Sequence, residues 1–339
     1  MTDNAQENAD VSAALSEAGA SMDALAAEGD EYDRKARALS TLAHYHNIWM
    51  SFQRWCDRYC VSALPAEPEI VALYITDIAR RVKAASISVH LAAIGHHHRA
   101  FGHTAPSDHP VVRTRLAGIR RTKGVAPVQK TPLLLENVDQ IIGLMGDQRP
   151  QAIRDSALIL LGWAAGLRRN EIVGLDVGRG QSGDGRGYVV FTVRGLDVVL
   201  TRTKTDQEGN GRTIAVPMRR SKSKCPVRLL RQYLMENAIE HGPIFRPFHP
   251  NRRDLIDRRL DASGVARIVK RWARRLGLDS GTFGGHSLRS GFVTETLNAG
   301  ATVAAVQATT GHRRIDTVYR YHQVVHRYRE SPLNDIGAW

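Results

Sequence analysis

The spacing of apolar residues changes near residue 133, and this change limits what the chain can fold into. Before it, apolar residues recur roughly every three to four positions, the pattern of one face of a helix. After it, helical spacing is interrupted by short segments rich in β-branched residues, which favour strands. In a chain of 339 residues, this change predicts two domains, one all-helical and one of the α+β class with mostly helical content.

The helical domain is predicted to cover residues 34–123. Apolar positions at helical spacing fall into groups there, and prolines mark the breaks between the groups. The apolar positions are Leu39, Leu42, Tyr45, Trp49, Phe52, Trp55, Ile70, Leu73, Tyr74, Ile78, Val89, Leu91, Ile94 and Phe101. The prolines are Pro65, Pro68, Pro106 and Pro110. The pattern predicts about four helices, followed by a linker over residues 124–132.

The start of the chain has a different composition. Residues 1–33 contain nine acidic side chains, no lysine or arginine, and no strong apolar stripe. A segment of this kind buries too little apolar surface to offset the entropy lost on ordering. We therefore predict a disordered acidic tail.

The chain as a whole is basic. Lysine and arginine number 47 against 34 acidic residues, a net charge of +13 at pH 7. Because the acidic tail offsets part of this charge, the rest of the chain is more basic than the total indicates. Such a balance favours a polyanionic partner. It does not select a reaction, and basic proteins that bind RNA or no nucleic acid at all share this composition.

Several functional classes receive no support from the sequence. No stretch approaches the ~18 apolar residues of a membrane span. The first residues lack the basic start and apolar run that mark a secretory signal, and three cysteines cannot form a disulfide framework. We expect a soluble protein in a reducing cytoplasm, with no metal and no cofactor. Cys56 and Cys60 lack a second pair at zinc spacing. Residues 96–98 are all histidine, but adjacent residues on a helix point in different directions, so this run does not predict a metal site.

The second half is predicted to combine helices with one small sheet. An apolar helix over residues 152–165 ends at Gly166. Residues 188–193 and 197–203 are rich in β-branched residues, and a glycine-rich turn leads to a third strand at 213–216. Helical spacing then returns in five segments: 227–238, 265–276, 288–297, 303–309 and 315–325.

Six polar residues in this half stand in recognisable motifs. The motifs are Ala-Gly-Leu-Arg-Arg-Asn-Glu-Ile (165–172), Arg-Thr-Lys-Thr (202–205), Gly-His-Ser-Leu-Arg-Ser-Gly (285–291) and Gly-His-Arg-Arg-Ile-Asp-Thr-Val-Tyr-Arg-Tyr (311–321). The six residues are Arg168, Lys204, His286, Arg289, His312 and Tyr321. Taken together, the motifs resemble the tyrosine recombinase, or phage integrase, family. The resemblance implies a site-specific DNA recombinase that cuts and rejoins strands through a 3′-phosphotyrosine, giving integration, excision or resolution.

The resemblance assigns Arg168 and Arg289 to the phosphate under attack. A guanidinium matches two phosphate oxygens and can stabilise the charge of a pentacoordinate species. His286 and Arg289 are three residues apart, so on a helix they share a face and can address one phosphate. His312 is implied as a third donor, and Glu171 as a supporting acid that fixes its neighbours.

The resemblance assigns the chemical steps to Lys204 and Tyr321. Tyr321 follows His312 by nine residues, the spacing of the family's nucleophile, and its covalent link stores the bond energy without ATP or metal. Lys204 is implied as general acid for the 5′-oxygen, which requires a lowered pKa. Thr-Lys-Thr departs from the Gly-Lys-Gly of many relatives, so two nearby basic residues stay open as alternatives: Lys222 and Lys224.

A second tyrosine competes with Tyr321 for the role of nucleophile. Tyr319 lies two residues off the family spacing and about 200° away on a helix with 3.6 residues per turn. We predict that Tyr319 is a buried helix aromatic and that Tyr321 is the nucleophile.

The implied architecture is a C-shaped clamp around double-stranded DNA. An all-helical, SAM-like core-binding domain over residues 34–123 is joined to a tyrosine-recombinase catalytic domain over residues 133–328 with a small antiparallel sheet. Because sequence-independent affinity grows with the number of phosphates neutralised, a cluster of basic residues is predicted to contact DNA. These residues are Arg80, Arg81, Lys83, Arg120, Arg121 and Lys123. Singly, each is equally consistent with a solvated polar face.

The resemblance also implies assembly of four protomers on two duplexes at the nucleoid, with an accessory directionality protein in some systems. Residues 329–339 end in three apolar side chains, Leu333, Ile336 and Trp339, and are predicted to dock on a neighbouring protomer. The alternative is a tail folded on its own domain. Two other functions stay open: a type IB topoisomerase, which holds one duplex, and a DNA-binding regulator that has lost the chemistry. The complete set of six polar residues argues against the regulator.

Overall fold

This computed structural model of the protein describes residues 39–124, 130–146, 149–201, 211–251 and 254–326, together with Met22, Leu25 and Glu28. The chain divides into two compact units, Met1–Pro127 and Val128–Trp339. The two predicted ends of the chain, residues 1–33 and 329–339, otherwise lie outside the described residues.

Three positions within residues 1–33 are described by the structure. Met22, Leu25 and Glu28 are helical and exposed. The alanine-rich sequence around them has high intrinsic helix propensity, which a prediction from low hydrophobicity alone does not weigh.

The first unit is built from helices, as its apolar spacing predicts. They are α1 (Leu39–Arg58), α2 (Pro68–Ala79), α3 (Ala84–Ala100) and α4 (Pro110–Lys123), with a 3₁₀ turn at Pro106–Asp108. Both α2 and α4 begin with proline, which fits the first helical position because its missing N–H would have no partner there.

An aromatic cluster forms the centre of the first unit. Phe52 is fully buried, and its ring lies 4.9 Å from that of Tyr74, which lies 5.4 Å from Trp55. The Tyr74 hydroxyl is 2.8 Å from His90 Nδ1, and burial raises the pKa of Tyr74 to about 12. Trp55 Nε1 donates to the Asp77 carboxylate at 3.0 Å. Each polar atom of the cluster therefore has a partner, as burial demands.

Cys56 and His98 of this unit are packed in its interior. Burial raises the pKa of the Cys56 thiol to about 11, whereas Cys60 is exposed. The ring of His98 is buried and accepts the Ala66 N–H at 3.0 Å through Nε2. Among the described residues, no group of three or more His, Cys, Asp or Glu side chains could hold a metal ion.

The described part of the second unit contains eight α-helices. They are α5 (Leu135–Met145), α6 (Pro150–Ala164), α7 (Arg169–Val173), α8 (Pro226–Glu236), α9 (Ala262–Arg275), α10 (Gly285–Asn298), α11 (Val303–Thr310) and α12 (Ile315–His326). Every residue of α6 from Ala152 to Gly162 is buried, so this helix forms the centre of the core. Its Asp155 carboxylate accepts from Arg154 at 2.7 Å and from Trp272 Nε1 at 2.7 Å, which fixes α9 against α6.

A small sheet follows α7. Its strands are β1 (Leu175–Val177), β2 (Gly187–Phe191), β3 (Gly195–Leu200) and β4 (Arg212–Pro217), paired in that order. Strands β2, β3 and β4 are antiparallel, as predicted, but β1 pairs with β2 in parallel. The sequence missed β1 because three residues are too few to show alternation. The prediction of a mostly helical α+β protein is confirmed.

Helix α10 passes unusually close to the start of the second unit. Ser287 O accepts the Leu133 N–H at 2.9 Å, and Leu133 O accepts from Trp163 Nε1 at 2.8 Å. A Cβ at Gly291 would overlap that Leu133 carbonyl. Glycine at this position therefore sets the depth of α10, the helix that carries His286 and Arg289.

None of the described helices combines the length and the hydropathy that a bilayer crossing requires.

The close approach at α10 gives a testable prediction. Gly291→Ala should destabilise the second unit by about 1–3 kcal/mol, since a backbone carbonyl cannot move aside as a side chain can. The matched control is Gly143→Ala in α5, where a Cβ meets nothing within 4 Å. That change should stabilise by about 0.5–1 kcal/mol through helix propensity. Urea unfolding curves of the two variants measure both effects, and equal midpoints would contradict the packing argument.

Candidate active site

The carboxylate of Glu171 organises one side of the site. It lies on the third residue of α7, and 3 % of its side chain is exposed. Its two oxygens accept the Arg168 backbone N–H at 2.8 Å and Arg168 Nη1 at 2.7 Å. It also accepts from Arg212 Nη2 at 3.2 Å. The buried acid thus fixes the start of the helix and two guanidinium groups together.

The same two arginines hold the turn that follows α11. Arg212 Nη1 donates to Thr310 O at 2.6 Å, and Arg168 Nη2 donates to Gly311 O at 3.0 Å. Gly311 has a φ of 63°, which favours glycine, and a Cβ there would displace the Arg212 guanidinium from its present position. His312 directly follows, and its position is therefore set by the arginines.

Arg289 is the most deeply buried cation of the site. One per cent of the residue is exposed, and its Nη1 donates to Gly166 O at 2.9 Å. Its Nη2 is buried and, within the described part of the chain, has no hydrogen-bond partner. Desolvation, followed by the charge of Arg168, lowers the pKa of Arg289 to about 9. A buried donor without an acceptor is costly, and an entering anion would relieve that cost.

Two histidines lie beside these cations. His286 is exposed on α10, and partial desolvation together with Arg289 and Arg168 lowers its pKa. His312 is half-buried, and desolvation, then Arg289 and Arg168, lowers its pKa to about 3. Both imidazoles are consequently neutral at neutral pH, so that the positive charge of the site comes from arginine.

The two candidate tyrosines of α12 lie in different environments. Tyr321 is half-buried and packs against an apolar cluster that includes Val293 and Val318. It lies near enough to Arg289 for its charge to influence the pKa of that residue. Tyr319 is 45 % exposed, so the prediction that it is buried is wrong. Val318 and Tyr321 are three residues apart and occupy the packed face of α12, which leaves Tyr319 on the other.

The structure brings together five of the predicted motif residues and the supporting acid. These are Arg168, Glu171, His286, Arg289, His312 and Tyr321, linked by the contacts and charges described above. Lys204 lies in residues 202–210, outside the described residues. Of its two alternatives, Lys224 lies 3.7 Å from the Asp139 carboxylate on α5.

The sequence motifs did not indicate Arg212. It begins β4, directly after the segment that contains Lys204, and 15 % of its side chain is exposed. No motif marks it, and charge does not distinguish it from the other arginines. Its place at the start of the strand after the lysine turn was the available signal.

The predicted DNA-binding residues of the first unit lie at the end of α2, the start of α3 and the end of α4: Arg80, Arg81, Lys83, Arg120, Arg121 and Lys123. These ends lie together. Lys123 Nζ donates to Val82 O at 3.0 Å and also to Ala79 O. Arg120 donates to Ser88 Oγ at 3.0 Å. Lys123 therefore also closes the end of α2, a structural role the sequence did not indicate.

Comparison with known proteins identifies the family. The sequence profile of the phage integrase family matches residues 132–327. The chain is 34 % identical over 303 residues to an integrase/recombinase xerD homolog from Selenomonas ruminantium, covering 88 % of this chain and 86 % of that protein. It is 28 % identical over 203 residues to tyrosine recombinase XerC from Roseiflexus sp. (strain RS-1), covering 58 % of this chain and 56 % of XerC. The chain belongs to the phage integrase family, and the resemblance carried by its motifs is confirmed.

A solved structure shares the fold. A lambda integrase dimer bound to a COC′ core site matches with a TM-score of 0.51 and 17 % identity, covering 89 % of this chain and 77 % of the lambda integrase chain. At this level of identity the similarity concerns the fold.

The buried carboxylate of Glu171 gives a second prediction. Glu171→Gln should lower the free energy of unfolding by about 1–3 kcal/mol, because it leaves two partly buried guanidinium groups without their counter-charge. Glu236→Gln in α8 is the matched control, since Glu236 is exposed and accepts a single bond from Gln232 at 2.8 Å. It should change stability by less than about 0.5 kcal/mol. Urea unfolding followed by circular dichroism compares the two, and similar losses would refute the organising role of Glu171.

Proposed function

We propose that this protein is a site-specific DNA recombinase that cleaves and rejoins DNA through a 3′-phosphotyrosine at Tyr321. One observation carries the proposal: the buried Arg289 Nη2, which has no acceptor among the described residues, lies beside Arg168, His312 and Tyr321. A phosphodiester is the anion that such a set of donors and a nucleophile fits. The relatives named above are recombinases, and nothing observed favours a topoisomerase or an inactive regulator.

The arginines would stabilise the negative charge of the phosphate under attack. Arg289 is fixed on Gly166 O, and Arg168 is fixed on the Glu171 carboxylate and Gly311 O. Because these groups are already oriented, little reorganisation accompanies the rise in charge at the transition state. His286 shares a helix face with Arg289 and would address the same phosphate.

The covalent chemistry would belong to Tyr321 and Lys204. The Tyr321 hydroxyl gives up its proton to solvent as its oxygen attacks phosphorus and forms a bond to the 3′-phosphate, while the bond to the 5′-oxygen breaks. Lys204 donates the proton that the leaving 5′-oxygen requires. Attack by a 5′-hydroxyl from another strand then reverses these steps and releases Tyr321, so the reaction consumes neither ATP nor metal.

The first unit would bind the phosphates of the duplex through its basic residues. Five of them, Arg80, Arg81, Lys83, Arg120 and Arg121, add positive charge at the adjoining ends of α2, α3 and α4. Each phosphate contact adds affinity without selecting sequence. In this proposal residues 124–132 link the two units, and the protein acts at the nucleoid in the cytoplasm.

Recombination further requires two duplexes in one complex. We propose four protomers on two sites, with residues 329–339 docking on a neighbouring protomer and an accessory protein setting direction in some contexts. The target would be an inverted repeat with a short spacer in the DNA that flanks the gene. A duplex carrying that repeat, with a nick that prevents rejoining, is the substrate for the tests below.

Tyr321→Phe should abolish the covalent protein–DNA product, since the ring stays but the attacking oxygen is gone. Tyr319→Phe is the matched control and should retain the product. Incubation with the nicked duplex followed by a denaturing gel shows the product as a protein band of reduced mobility. The reverse pattern would transfer the role of nucleophile to Tyr319.

Arg289→Lys should reduce the cleavage rate by about 100- to 1,000-fold, because a lysine cannot keep the Gly166 contact and also donate to the phosphate. Binding of the duplex should weaken by less than about threefold, since affinity is shared among many phosphate contacts. Arg267→Lys on the exposed face of α9 is the control and should preserve cleavage. Gel-shift and cleavage assays separate the two effects, and parallel losses would contradict the assignment of Arg289 to the transition state.

A further inference from the structure

The hydroxyl of Thr310 makes two short contacts in the site. The residue is fully buried at the end of α11. Its Oγ1 lies 2.6 Å from Val306 O and 2.7 Å from His312 Nδ1. Both are hydrogen-bond distances, but a hydroxyl has a single proton to donate.

The chemistry of the two partners decides where that proton goes. A backbone carbonyl only accepts, so the contact with Val306 O requires the Thr310 proton. Were the proton instead given to His312, two oxygens would face each other at 2.6 Å with no proton between them. Thr310 Oγ1 therefore accepts from His312, whose Nδ1 must carry a proton.

We propose that Thr310 is a positioning residue that keeps the proton of neutral His312 on Nδ1, so that Nε2 carries the lone pair while no DNA is bound. The choice of tautomer by the partner of the other ring nitrogen is a general property of histidine. In the DNA-free protein, Nε2 of His312 therefore has no proton to donate.

The backbone around the ring supports this arrangement. The carbonyls of Thr310 and Gly311 are held by Arg212 and Arg168, as described above. The next carbonyl, that of His312, accepts from Gln307 Nε2 at 2.9 Å. Three consecutive peptide groups are thus tied to side chains, which limits the freedom of the ring to leave Thr310.

The consequence for catalysis rests on the proposed recombinase function. With Nδ1 already protonated, Nε2 can donate to a phosphate oxygen only after the ring gains a second proton and becomes imidazolium. The groups that face His312 are Arg289, Arg168, Arg212 and the neutral His286, and desolvation, followed by the charges of the arginines, holds the pKa of His312 at about 3. A phosphodiester brings negative charge among these cations and raises that pKa. We infer that His312 takes up one proton from solvent when the scissile phosphate enters.

The tautomer can be measured directly in the DNA-free, full-length protein. Labelling with ¹⁵N-histidine and recording long-range proton–nitrogen spectra at pH 7 distinguishes protonated from unprotonated ring nitrogens, and His312→Asn identifies the signals of His312. The wild type and Thr310→Ser should show a protonated Nδ1. Thr310→Val, which removes the hydroxyl but keeps the shape, should move part or all of the proton to Nε2. A protonated Nε2 in the wild type, or an unchanged tautomer in Thr310→Val, would overturn the proposal.

The pH dependence of cleavage tests the consequence. With the nicked duplex, wild-type cleavage should fall by up to about tenfold per pH unit above the pKa of His312 in the complex. Thr310→Val should lose this decline, because its neutral imidazole can donate from Nε2, and Thr310→Ser should restore it. Superimposable profiles for all three proteins would overturn the role of proton uptake. Since the spectra need no DNA, absence of cleavage in the wild type would count against the recombinase function and leave the tautomer result standing.

Discussion

The ion pairs of Glu171 are the interaction on which the site depends. Its carboxylate holds Arg168 and Arg212, which lie in different elements, and these two residues in turn hold the turn before His312. Without a buried negative charge, the guanidinium groups would repel one another at close range. With it, a helix start, a strand start and a helix end are fixed in one place. The buried carboxylate therefore offsets the repulsion between guanidinium groups that lie close together in the site.

The apolar core provides the rigid frame behind this network. Helix α6 is buried over most of its length, and it ends at the Gly166 turn whose carbonyl receives Arg289. Helix α10 approaches Leu133 so closely that Gly291 has no room for a side chain. Because a close-packed interior leaves little free space, the position of one helix fixes the positions of its neighbours. The placement of Arg289 is thus a consequence of core packing, and its function depends on residues that never meet the substrate.

The site departs from the usual rules of a folded interior. Arg289 is almost completely buried, yet one of its nitrogens has no partner among the described residues, and its pKa is lowered to about 9. Such an arrangement costs stability in the empty protein. Departures from local consistency tend to occur at functional sites, where a ligand supplies the missing partner. The proposed protonation of His312 is a second example. Only Nδ1 carries a proton in the empty site, and the ring gains a second proton when an anion enters.

The sequence by itself determined the family, the mostly helical α+β class and the residues of the motifs, because helical spacing and the order of motifs are local or linear properties of a chain. It did not determine the parallel β1, the exposure of Tyr319, or the parts played by Arg212 and Thr310. Arg168 meets Gly311 across 143 residues of sequence, and Arg212 meets Thr310 across 98. Contacts between residues so far apart produce no periodic pattern in the sequence. Only the folded chain decides which arginine reaches a given carbonyl, since that depends on how helices and strands pack and not on spacing along the sequence.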